Sequence, residues 1–369
     1  MRILYFINGL NYKGGIARIV VDKANYFADK FNYHVGICTI NGSTISAYNI
    51  SDKIEVFCLS EKSQQSDGII QKGLNVIRNI RNTRNAIKKF KPDIVINAQT
   101  QIITWILPFI GRSIPKIMEI HFSYIGMEYN ISDKGKAFKK LYFKIAKAIY
   151  KRYNRFVILT EEDRQYWNLN NISVINNFTN LTTDKLSNLT NKRIICVARY
   201  HVQKRLDLLI EAWSKIANKH KDWKVEVFGM GPDKEKLQEQ INKLNLQSSF
   251  ILNDAVNDIK DEYLKSSIFA LTSEHEGFGL VLLEAIIMGL PICMFDIVGT
   301  GWASNNGKTA LACKFGDVNS FSNNLSELIE NPELRLKLRN EALKELPKYN
   351  IDNIMSKWNK LVKQCIKKQ

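Results

Sequence analysis

The segment SEHEGFGLVLLEAIIMG, residues 273–289, contains the residues whose types and spacing most clearly indicate chemistry. Glu276 is followed by Gly-Phe-Gly, which predicts a tight loop, and Leu280 begins a predicted helix that contains Glu284. Small residues let a backbone approach a ligand closely, and the N–H groups at a helix N-terminus attract phosphate oxygens. The segment therefore suits a nucleoside diphosphate, with Glu284 accepting hydrogen bonds from sugar hydroxyls. The alternative is that Glu284 faces solvent or caps a neighbouring helix.

A second group of candidates follows the apolar run IICVA, in ARYHVQKRLDLLIEAW, residues 198–213. Arg199 lies where the predicted strand ends, and Lys204 lies at the entry to an amphipathic helix. A guanidinium and an ammonium can together neutralise a pyrophosphate leaving group. Arg205 competes with Lys204, because a shift of one residue in the loop exchanges their directions. Ordinary surface charges are the alternative interpretation of these cations.

The elements that must position these residues follow an alternating pattern. Short β-branched runs alternate with longer periodic segments, which is typical of parallel sheets crossed by helices. The predicted strands are ILYFI (3–7), VGICTI (35–40), DIVINA (93–98), KIMEI (116–120), FVILT (156–160), IICVA (194–198), VEVFG (225–229), FIL (250–252), IFALT (268–272) and PICMF (291–295).

The length of 369 residues exceeds that at which one hydrophobic core stops growing, roughly 250–300 residues, so two domains are expected. The Asn- and Thr-rich stretch 175–192 lacks apolar periodicity and predicts a linker. We therefore predict an α/β fold of two Rossmann-like domains, 1–178 and 190–350, facing a central cleft. A terminal helix over about 351–369 is expected to pack back on the first domain.

Composition excludes several classes of protein. Hydrophobic residues make up 45% and charged residues 24% of the chain, as in ordinary globular proteins. The six cysteines are scattered without a CxxC pair, which favours buried, reduced thiols. The N-terminus lacks the features of a signal peptide, and no run approaches the roughly 18 apolar residues of a membrane span. These features predict a cytoplasmic protein.

The net charge of +17 is unevenly distributed. Residues 1–180 carry 26 Lys and Arg against 13 Asp and Glu, a net charge of +13, whereas the remainder carries 27 against 23, a net charge of +4. Nucleic acid, a phospholipid surface or a phosphorylated substrate would each satisfy this positive charge. Helix-turn-helix and zinc-finger patterns are absent from the sequence, so we expect no nucleic-acid partner.

One segment accounts for much of this positive charge. Residues 134–155 contain nine Lys and Arg and no acidic residue, with apolar positions at helical spacing. Such a basic amphipathic helix suits peripheral contact with anionic lipid at the inner face of the cell membrane. The lysines assigned to that contact are Lys139, Lys140, Lys144 and Lys147. The alternative is a solvated basic face whose apolar stripe belongs to the core.

Six stretches distributed over the chain form a recognisable set. They are KGGIARIV with Gly14 and Gly15, ILTEEDR (158–164), VINNF (174–178), VARYHVQKRLDLLIEAW (197–213), FGMGPD (228–233) and SEHEGFGLVLLEAIIMGLPI (273–292). With this set the chain resembles the retaining glycosyltransferases of family 4, which have the GT-B fold and a "glycosyl transferases group 1" domain. The resemblance spans nearly the whole chain, and its C-terminal motifs are the more specific ones.

The resemblance implies roles for individual residues. The first domain would bind the acceptor and the second the nucleotide-sugar donor. The resemblance implies that Glu276 and His121 are the catalytic residues, and that His121 lies beside the donor sugar and the acceptor. The donor diphosphate would contact Arg199, Lys204, Gly15, Gly279 and Leu280. The transferred sugar would contact Glu276, Gly277 and Phe278, and the nucleotide ribose would contact Glu284. The chain departs from the family pattern at residues 297–311, which contain neither the proline nor the glutamate of the Gly-Pro-x-Glu that many relatives carry there, so the resemblance assigns no donor or acceptor contact to this loop.

The resemblance also implies an activity. We expect transfer of a hexose-type sugar, with retention of configuration, from a nucleotide sugar to a glycan or lipid-linked acceptor in bacterial surface polysaccharide or glycolipid assembly. A UDP-sugar is the favoured donor. The sequence lacks metal-ligand spacing and a DxD at a strand end near these motifs, so we expect no metal and no cofactor besides the donor. A nucleotide-sugar epimerase of similar fold and, more remotely, a basic nucleic-acid-binding protein are the alternatives.

Overall fold

A computed structural model of the chain describes residues 1–11, 14–40, 44–59, 69–129, 131, 134–256 and 258–367, with the backbone alone at 69–74. The chain divides into two compact units. The first unit contains Met1–Asn177 and Ile351–Gln369, and the second contains Phe178–Asn350. The segment 179–192, which joins them, contains neither helix nor strand.

Strands and helices alternate along the chain. The strands are β1 (Arg2–Ile7), β2 (His34–Thr39), β3 (Ile54–Cys58), β4 (Ile94–Asn97), β5 (Lys116–Glu119), β6 (Arg155–Ile158), β7 (Ile172–Val174), β8 (Arg193–Val197), β9 (Lys224–Gly229), β10 (Phe250–Asp254), β11 (Ile268–Leu271), β12 (Ile292–Asp296) and β13 (Ala310–Lys314). The α-helices are α1 (Gly15–Asp29), α2 (Ile69–Phe90), α3 (Ile102–Ile106), α4 (Tyr124–Tyr129), α5 (Lys136–Tyr150), α6 (Arg164–Trp167), α7 (Leu206–Ile216), α8 (Lys234–Lys243), α9 (Lys260–Leu264), α10 (Leu280–Ile287), α11 (Gly301–Ser304), α12 (Val318–Glu330), α13 (Pro332–Glu345) and α14 (Ile351–Lys367).

Each unit is built on one parallel sheet. The first sheet has the order β3-β2-β1-β4-β5-β6-β7, and the second has the order β10-β9-β8-β11-β12-β13. In both sheets the direction of winding reverses next to the first strand of the unit, between β1 and β4 and between β8 and β11. Ligands of open α/β sheets bind outside the carboxyl ends of the strands at this reversal. The topology therefore selects one edge of each sheet as a candidate site.

Burial on both faces explains why the central strands are continuous apolar runs. In the second unit one apolar cluster packs α7, α8 and α12 against the sheet, and another packs α10 and α13 against the opposite face. Parallel sheets covered by helices on both sides require such runs rather than an alternating pattern. The fold thus holds its site-forming strand ends on a rigid base.

The terminal helix α14 belongs to the first unit. Tyr33 Oη donates a hydrogen bond of 2.8 Å to Asn359 Oδ1, and Tyr26 Oη donates to Asp352. The ammonium of Lys23 on α1 lies 4.2 Å from the ring centroid of Trp358. Tyr26 and Lys23 lie on α1 and Tyr33 follows this helix, so polar and aromatic contacts join α14 to this part of the first unit.

The sequence-based strand prediction was incomplete, because it omitted β3, β7 and β13. All three lie at sheet edges, and most of their residues are only partly buried. An edge strand has one neighbour and more solvent contact, so it needs fewer apolar residues. None of the helices in the described part of the chain is long and apolar enough to cross a membrane.

Candidate active site

The candidate site of the second unit lies at the reversal between β8 and β11. The chain leaves β8 at Val197 and continues through a loop into the short 3-10 turn Val202–Lys204. It leaves β11 at Leu271 and continues through a second loop to the start of α10. The two loops contain most of the residues that the sequence singles out.

Hydrogen bonds join these two loops. The Gln203 carbonyl accepts from the Glu274 amide at 2.9 Å, and the Lys204 carbonyl accepts from Thr272 Oγ1 at 3.0 Å. Within the first loop, His201 Nδ1 accepts from the Gln203 amide at 3.3 Å. The backbone around Lys204 is thus held to the end of β11.

This arrangement brings Lys204 to Glu276. The ammonium Nζ donates to Glu276 Oε1 at 2.7 Å, and the two side chains are 15% and 11% exposed. Both side chains keep some contact with solvent, so a ligand can reach them. Lys204 can then bind phosphate oxygens while Glu276 accepts hydrogen bonds from hydroxyls.

The geometry separates Lys204 from its neighbour Arg205, an alternative that the sequence leaves open. Arg205 has a left-handed backbone, with φ of 46°, and its guanidinium pairs with Asp207 at 3.0 Å. The guanidinium also lies 5.8 Å from the ring centroid of Phe315. Lys204, and not Arg205, is therefore the cation beside Glu276.

Arg199 is exposed and lies near the same loops. Its Nη2 is 3.4 Å from Gln203 Oε1, and Gln203 Nε2 donates to the His275 carbonyl at 3.0 Å. Burial lowers the pKa of His275. The sequence analysis did not identify Gln203, although its position beside Lys204 was a signal that could have found it.

The N-terminus of α10 presents backbone donors in this region. Gly279 precedes the helix with φ of 69°, a left-handed conformation that glycine adopts without strain, and Leu280 is the first helical residue. The first N–H groups of a helix have no acceptor within it, and the helix dipole adds partial positive charge there. A phosphate group fits such a terminus.

The loop after β12 packs against residues 276–278, which lead into α10. A Cβ on Gly299, whose φ is 99°, would lie 2.4 Å from the Glu276 carbonyl oxygen, so only glycine permits this approach. Trp302 Nε1 donates to the Phe278 carbonyl at 2.8 Å, and the two rings stack with centroids 4.5 Å apart. Tyr349 packs on Trp302 at 4.7 Å. The sequence analysis missed Trp302, which lies in the segment 297–311 that lacks the Gly-Pro-x-Glu of many relatives.

Glu284 lies on α10 and is buried. Its Oε2 accepts a hydrogen bond of 3.2 Å from Tyr263 Oη. The Glu284 side chain therefore does not face solvent, which was one of the alternatives considered for it. Gly277 connects Glu276 to Phe278, and its carbonyl oxygen also lies close to Gly299.

Gly15 and His121 belong to the first unit. Gly15 is the exposed first residue of α1, and the neighbouring Gly14 exchanges hydrogen bonds of 2.8 and 3.0 Å with Tyr48 Oη. Lys13, the first residue of the stretch KGGIARIV, lies outside the described part of the chain. His121 lies two residues after the end of β5 at Glu119.

His121 lines a pocket of about 190 Å³ in the first unit, at the reversal between β1 and β4. Asn8, Gln99 and Glu119 also line it. The His121 side chain is 4% exposed, and burial lowers its pKa to about 4, so the imidazole is neutral at pH 7. The sequence analysis did not identify Glu119, although MEIH places it two residues before His121.

The Glu119 carboxylate pairs with Lys23 of α1, and its Oε1 lies 3.4 Å from His121 Nε2. The sequence analysis missed this pair because Lys23 lies in an apolar helical pattern with no chemical motif near it. Among the residues that the structure describes, no three His, Cys, Asp or Glu side chains group in a way that could hold a metal ion.

Two parallel α/β sheets of seven and six strands with helices are the architecture of the GT-B glycosyltransferases. Residues 13–183 match Glycosyltransferase Family 4 and residues 177–345 match Glycosyl transferases group 1. The two matches together extend over most of the chain, which belongs to these families and is a glycosyltransferase.

Two relatives match over nearly their full length. The chain is 27% identical to an uncharacterized glycosyltransferase of Haemophilus influenzae, covering 97% of this chain and 98% of the relative. It is 25% identical to the amylovoran biosynthesis glycosyltransferase AmsD of Erwinia amylovora, covering 98% and 99%. A crystal structure of an S. aureus TarM mutant with Fondaparinux, alpha-GlcNAc-glycerol and UDP has the same fold, with a TM-score of 0.75, 16% identity and coverage of 98% and 99%.

Proposed function

We propose that the protein transfers a hexose-type sugar from a nucleotide sugar to a glycan or lipid-linked acceptor, with retention of configuration, in bacterial surface polysaccharide or glycolipid assembly. The observation that carries the proposal is the Lys204–Glu276 pair beside the N-terminus of α10. This combination offers a cation, a carboxylate and backbone donors within one loop region. A nucleoside diphosphate and a sugar together require all three.

In this mechanism the positive groups stabilise the departing diphosphate. Arg199, Lys204 and the first N–H groups of α10 bind its oxygens, and their charge substitutes for a metal ion. Glu276 accepts hydrogen bonds from the sugar hydroxyls, and Glu284 accepts them from the ribose. Fixed donors and charges of this kind stabilise the charge that develops in the transition state without reorganising. Retention follows when the acceptor attacks the face from which the diphosphate departs.

The first unit supplies the complementary groups. His121, neutral at pH 7, and the amide side chains of Asn8 and Gln99 line a polar pocket that suits hydroxyl groups. Gly15 at the start of α1 leaves room for a ligand near the same sheet edge. UDP is the first nucleotide to test, because the TarM structure of the same fold contains UDP.

The proposal is tested with a panel of UDP- and GDP-sugars, each incubated with and without membrane lipid extract. We expect release of free nucleoside diphosphate that depends on the acceptor, and loss of this release in the Glu276→Ala and Lys204→Ala variants. Release that survives both substitutions would contradict the assignment of the site. Conversion of the donor sugar without release, with no need for acceptor, would identify the epimerase alternative, which the two family matches disfavour.

We further propose that α5 contacts an anionic membrane surface. Phe138, Leu141 and Ile145 lie on one face of α5 and are 52%, 56% and 46% exposed, whereas the buried residues of the helix are Phe143, Ala146 and Tyr150. The apolar stripe considered as possible core is therefore largely exposed. Large exposed apolar residues among lysines suit the interfacial region of an anionic bilayer.

The four lysines assigned to this contact differ in position. Lys140 and Lys144 are exposed, and Lys139 is partly exposed. Lys147, in contrast, donates to the Tyr166 carbonyl at 2.8 Å and lies 4.9 Å from the Tyr124 ring centroid. Burial lowers the pKa of Lys147. Lys147 contributes to the fold of the first unit, so the lipid contact is best tested at the other three.

Co-sedimentation with vesicles containing phosphatidylglycerol tests this part of the proposal. We expect Lys140→Glu/Lys144→Glu to reduce the bound fraction, since each juxtamembrane cation contributes about 1 kcal/mol. Lys236→Glu/Lys243→Glu, at exposed positions of α8, changes the net charge equally and serves as the control. Equal binding of the two double variants would contradict a specific role for α5.

A further inference from the structure

A buried ion pair lies beneath the pocket of the first unit. Lys23 of α1 reaches Glu119 at the end of β5, and both side chains are 1% exposed. The ammonium also lies 4.2 Å from the ring centroid of Trp358 and 5.9 Å from that of Tyr5. Burial lowers the pKa of Lys23, and Glu119 opposes this shift.

Stability alone does not account for this pair. Removing two charges from water costs several kcal/mol per ion, and apolar residues of similar size are often equally or more stabilising in such positions. The residues around Lys23 on the same face of α1 are apolar, including Val20, Ala24 and Phe27. A leucine or methionine at position 23 would continue this pattern. The charged pair therefore calls for a role other than holding α1 against the sheet.

The second observation concerns the oxygen that the pair shares with His121. Glu119 Oε1 accepts from Lys23 and lies 3.4 Å from His121 Nε2. Within the described part of the chain, the buried atoms Glu119 Oε2 and His121 Nε2 have no partner that meets full hydrogen-bond geometry. Buried polar atoms are rarely left in this state, and both residues line the pocket. The cluster is one that a bound ligand would complete.

We propose that Lys23 and Glu119 are positioning residues for His121, with Lys23 fixing the Glu119 carboxylate and Glu119 Oε1 orienting the imidazole toward the group that enters the pocket. This inference rests on the proposed function, in which His121 meets the sugar or the acceptor. Its chemical consequence is a defined tautomer. The proton is placed on Nε2, which lies 3.4 Å from Glu119 Oε1, because the nearby carboxylate attracts it, and Nδ1 is left as the acceptor.

The kinetic test compares single and double substitutions. Lys23→Met leaves a buried, unpaired carboxylate, whereas Lys23→Met/Glu119→Gln removes both charges and keeps the volume. We expect the double variant to unfold at a temperature close to that of the wild type. We also expect its kcat to fall about tenfold or more with little change in the KM for donor or acceptor, since misplacement of a catalytic group lowers the rate of the bound complex. A double variant with wild-type kcat would overturn the inference.

A spectroscopic test needs no variant of the pair. The chain has five histidines, so the imidazole nitrogen signals of His121 can be assigned in ¹⁵N spectra by comparison with His121→Asn. We expect the Nε2–H tautomer at pH 7. The Nδ1–H tautomer, or rapid averaging of the two, would contradict the orientation that we assign to Glu119.

The outcomes also separate this inference from the proposed function. A wild-type chain that shows the Nε2–H tautomer but transfers sugar from no donor would refute the proposed function and leave the arrangement of Lys23, Glu119 and His121 intact. Sugar transfer that is unaffected by His121→Ala and by the double substitution would refute the positioning role and leave the function intact.

Discussion

Each unit of the protein has a Lys–Glu ion pair at the edge of its sheet where the winding reverses, and the two pairs differ in exposure. Lys204 and Glu276 of the second unit are 15% and 11% exposed, whereas Lys23 and Glu119 of the first unit are 1% exposed. Lys204 and Glu276 lie on loops, and Lys23 lies within a helix that packs on the sheet. The same two residue types thus form one ion pair with some solvent contact and one with almost none.

The difference in exposure indicates a difference in role. A pair that keeps some solvent contact can be reached by a ligand, and water screens part of its attraction. A pair without solvent contact cannot separate without leaving a buried charge. We therefore expect Lys204 and Glu276 to contact substrate directly, and Lys23 and Glu119 to act through His121. The predictions that follow test this contrast, from the largest expected effect to the smallest.

The first prediction concerns stability and the substitution Lys23→Met. It should lower the free energy of unfolding by about 3–5 kcal/mol, because it leaves the Glu119 carboxylate buried without its partner. Lys204→Met is the matched substitution in the pair that keeps some solvent contact, and its effect should be smaller, about 1–2 kcal/mol, because water can reach the Glu276 carboxylate that is left. Denaturant titration of both variants measures the difference. Equal losses of stability would remove the distinction between the two pairs.

The second prediction concerns the activity of the Lys204 variant. Lys204→Met should lower kcat/KM by about 100-fold, as expected for the loss of one charged group that stabilises a leaving group. Arg205→Met is the control, since Arg205 pairs with Asp207, and its kcat/KM should stay within a few fold of the wild type. Initial rates of nucleoside diphosphate release provide the measurement. A larger loss in the Arg205 variant would show that the adjacent cation serves the donor.

The third prediction concerns Trp302, which packs against Phe278 in the loop before α10. Trp302→Ala removes the stacking on Phe278 and the hydrogen bond to its carbonyl, so we expect kcat/KM to fall about tenfold. Trp302→Phe retains a ring but not the N–H donor and should give an intermediate value. The comparison of the two variants in the same assay separates stacking from hydrogen bonding. Full activity in Trp302→Ala would mean that the loop holds its shape without this side chain.

The fourth prediction concerns pH. Burial lowers the pKa of His121 to about 4, below its value near 6.5 in an unfolded chain, so the unfolded state binds more protons between these values. The corresponding stability is fully present above pH 6.5 and is lost as the pH falls toward 4. Lys23 and Glu119 face the imidazole and influence the same window. The unfolding free energies of the wild type and His121→Asn should therefore converge on acidification, and a constant difference would contradict the buried neutral state.

The sequence predicted interior strands better than edge strands. β1 and β11 are continuous apolar runs because helices cover both faces, and such runs are easy to recognise. β3, β7 and β13 were missed because edge strands keep solvent contact, which leaves a weaker apolar pattern. The fold class therefore followed from the centre of each sheet and not from its margins.

The candidate site shows a similar limit. The segment with Glu276 and Glu284 was recognisable because its residues are close in sequence. The sequence did not show which of the two cations, Lys204 or Arg205, points toward Glu276, because their directions depend on the left-handed backbone at Arg205. The pairing of Lys23 with Glu119 joins residues 96 positions apart and carries no local signal. Contacts of this kind depend on tertiary packing, which a single sequence does not report.

The central claim is that Lys204 and Glu276 of the second unit bind the donor. Calorimetric titration of UDP into the wild type, Lys204→Met and Arg205→Met tests this claim most directly. We predict that Lys204→Met weakens UDP binding by about tenfold or more, the loss of one charge-assisted contact, and that Arg205→Met binds like the wild type. Unchanged binding by Lys204→Met, or a selective loss in Arg205→Met, would contradict the account.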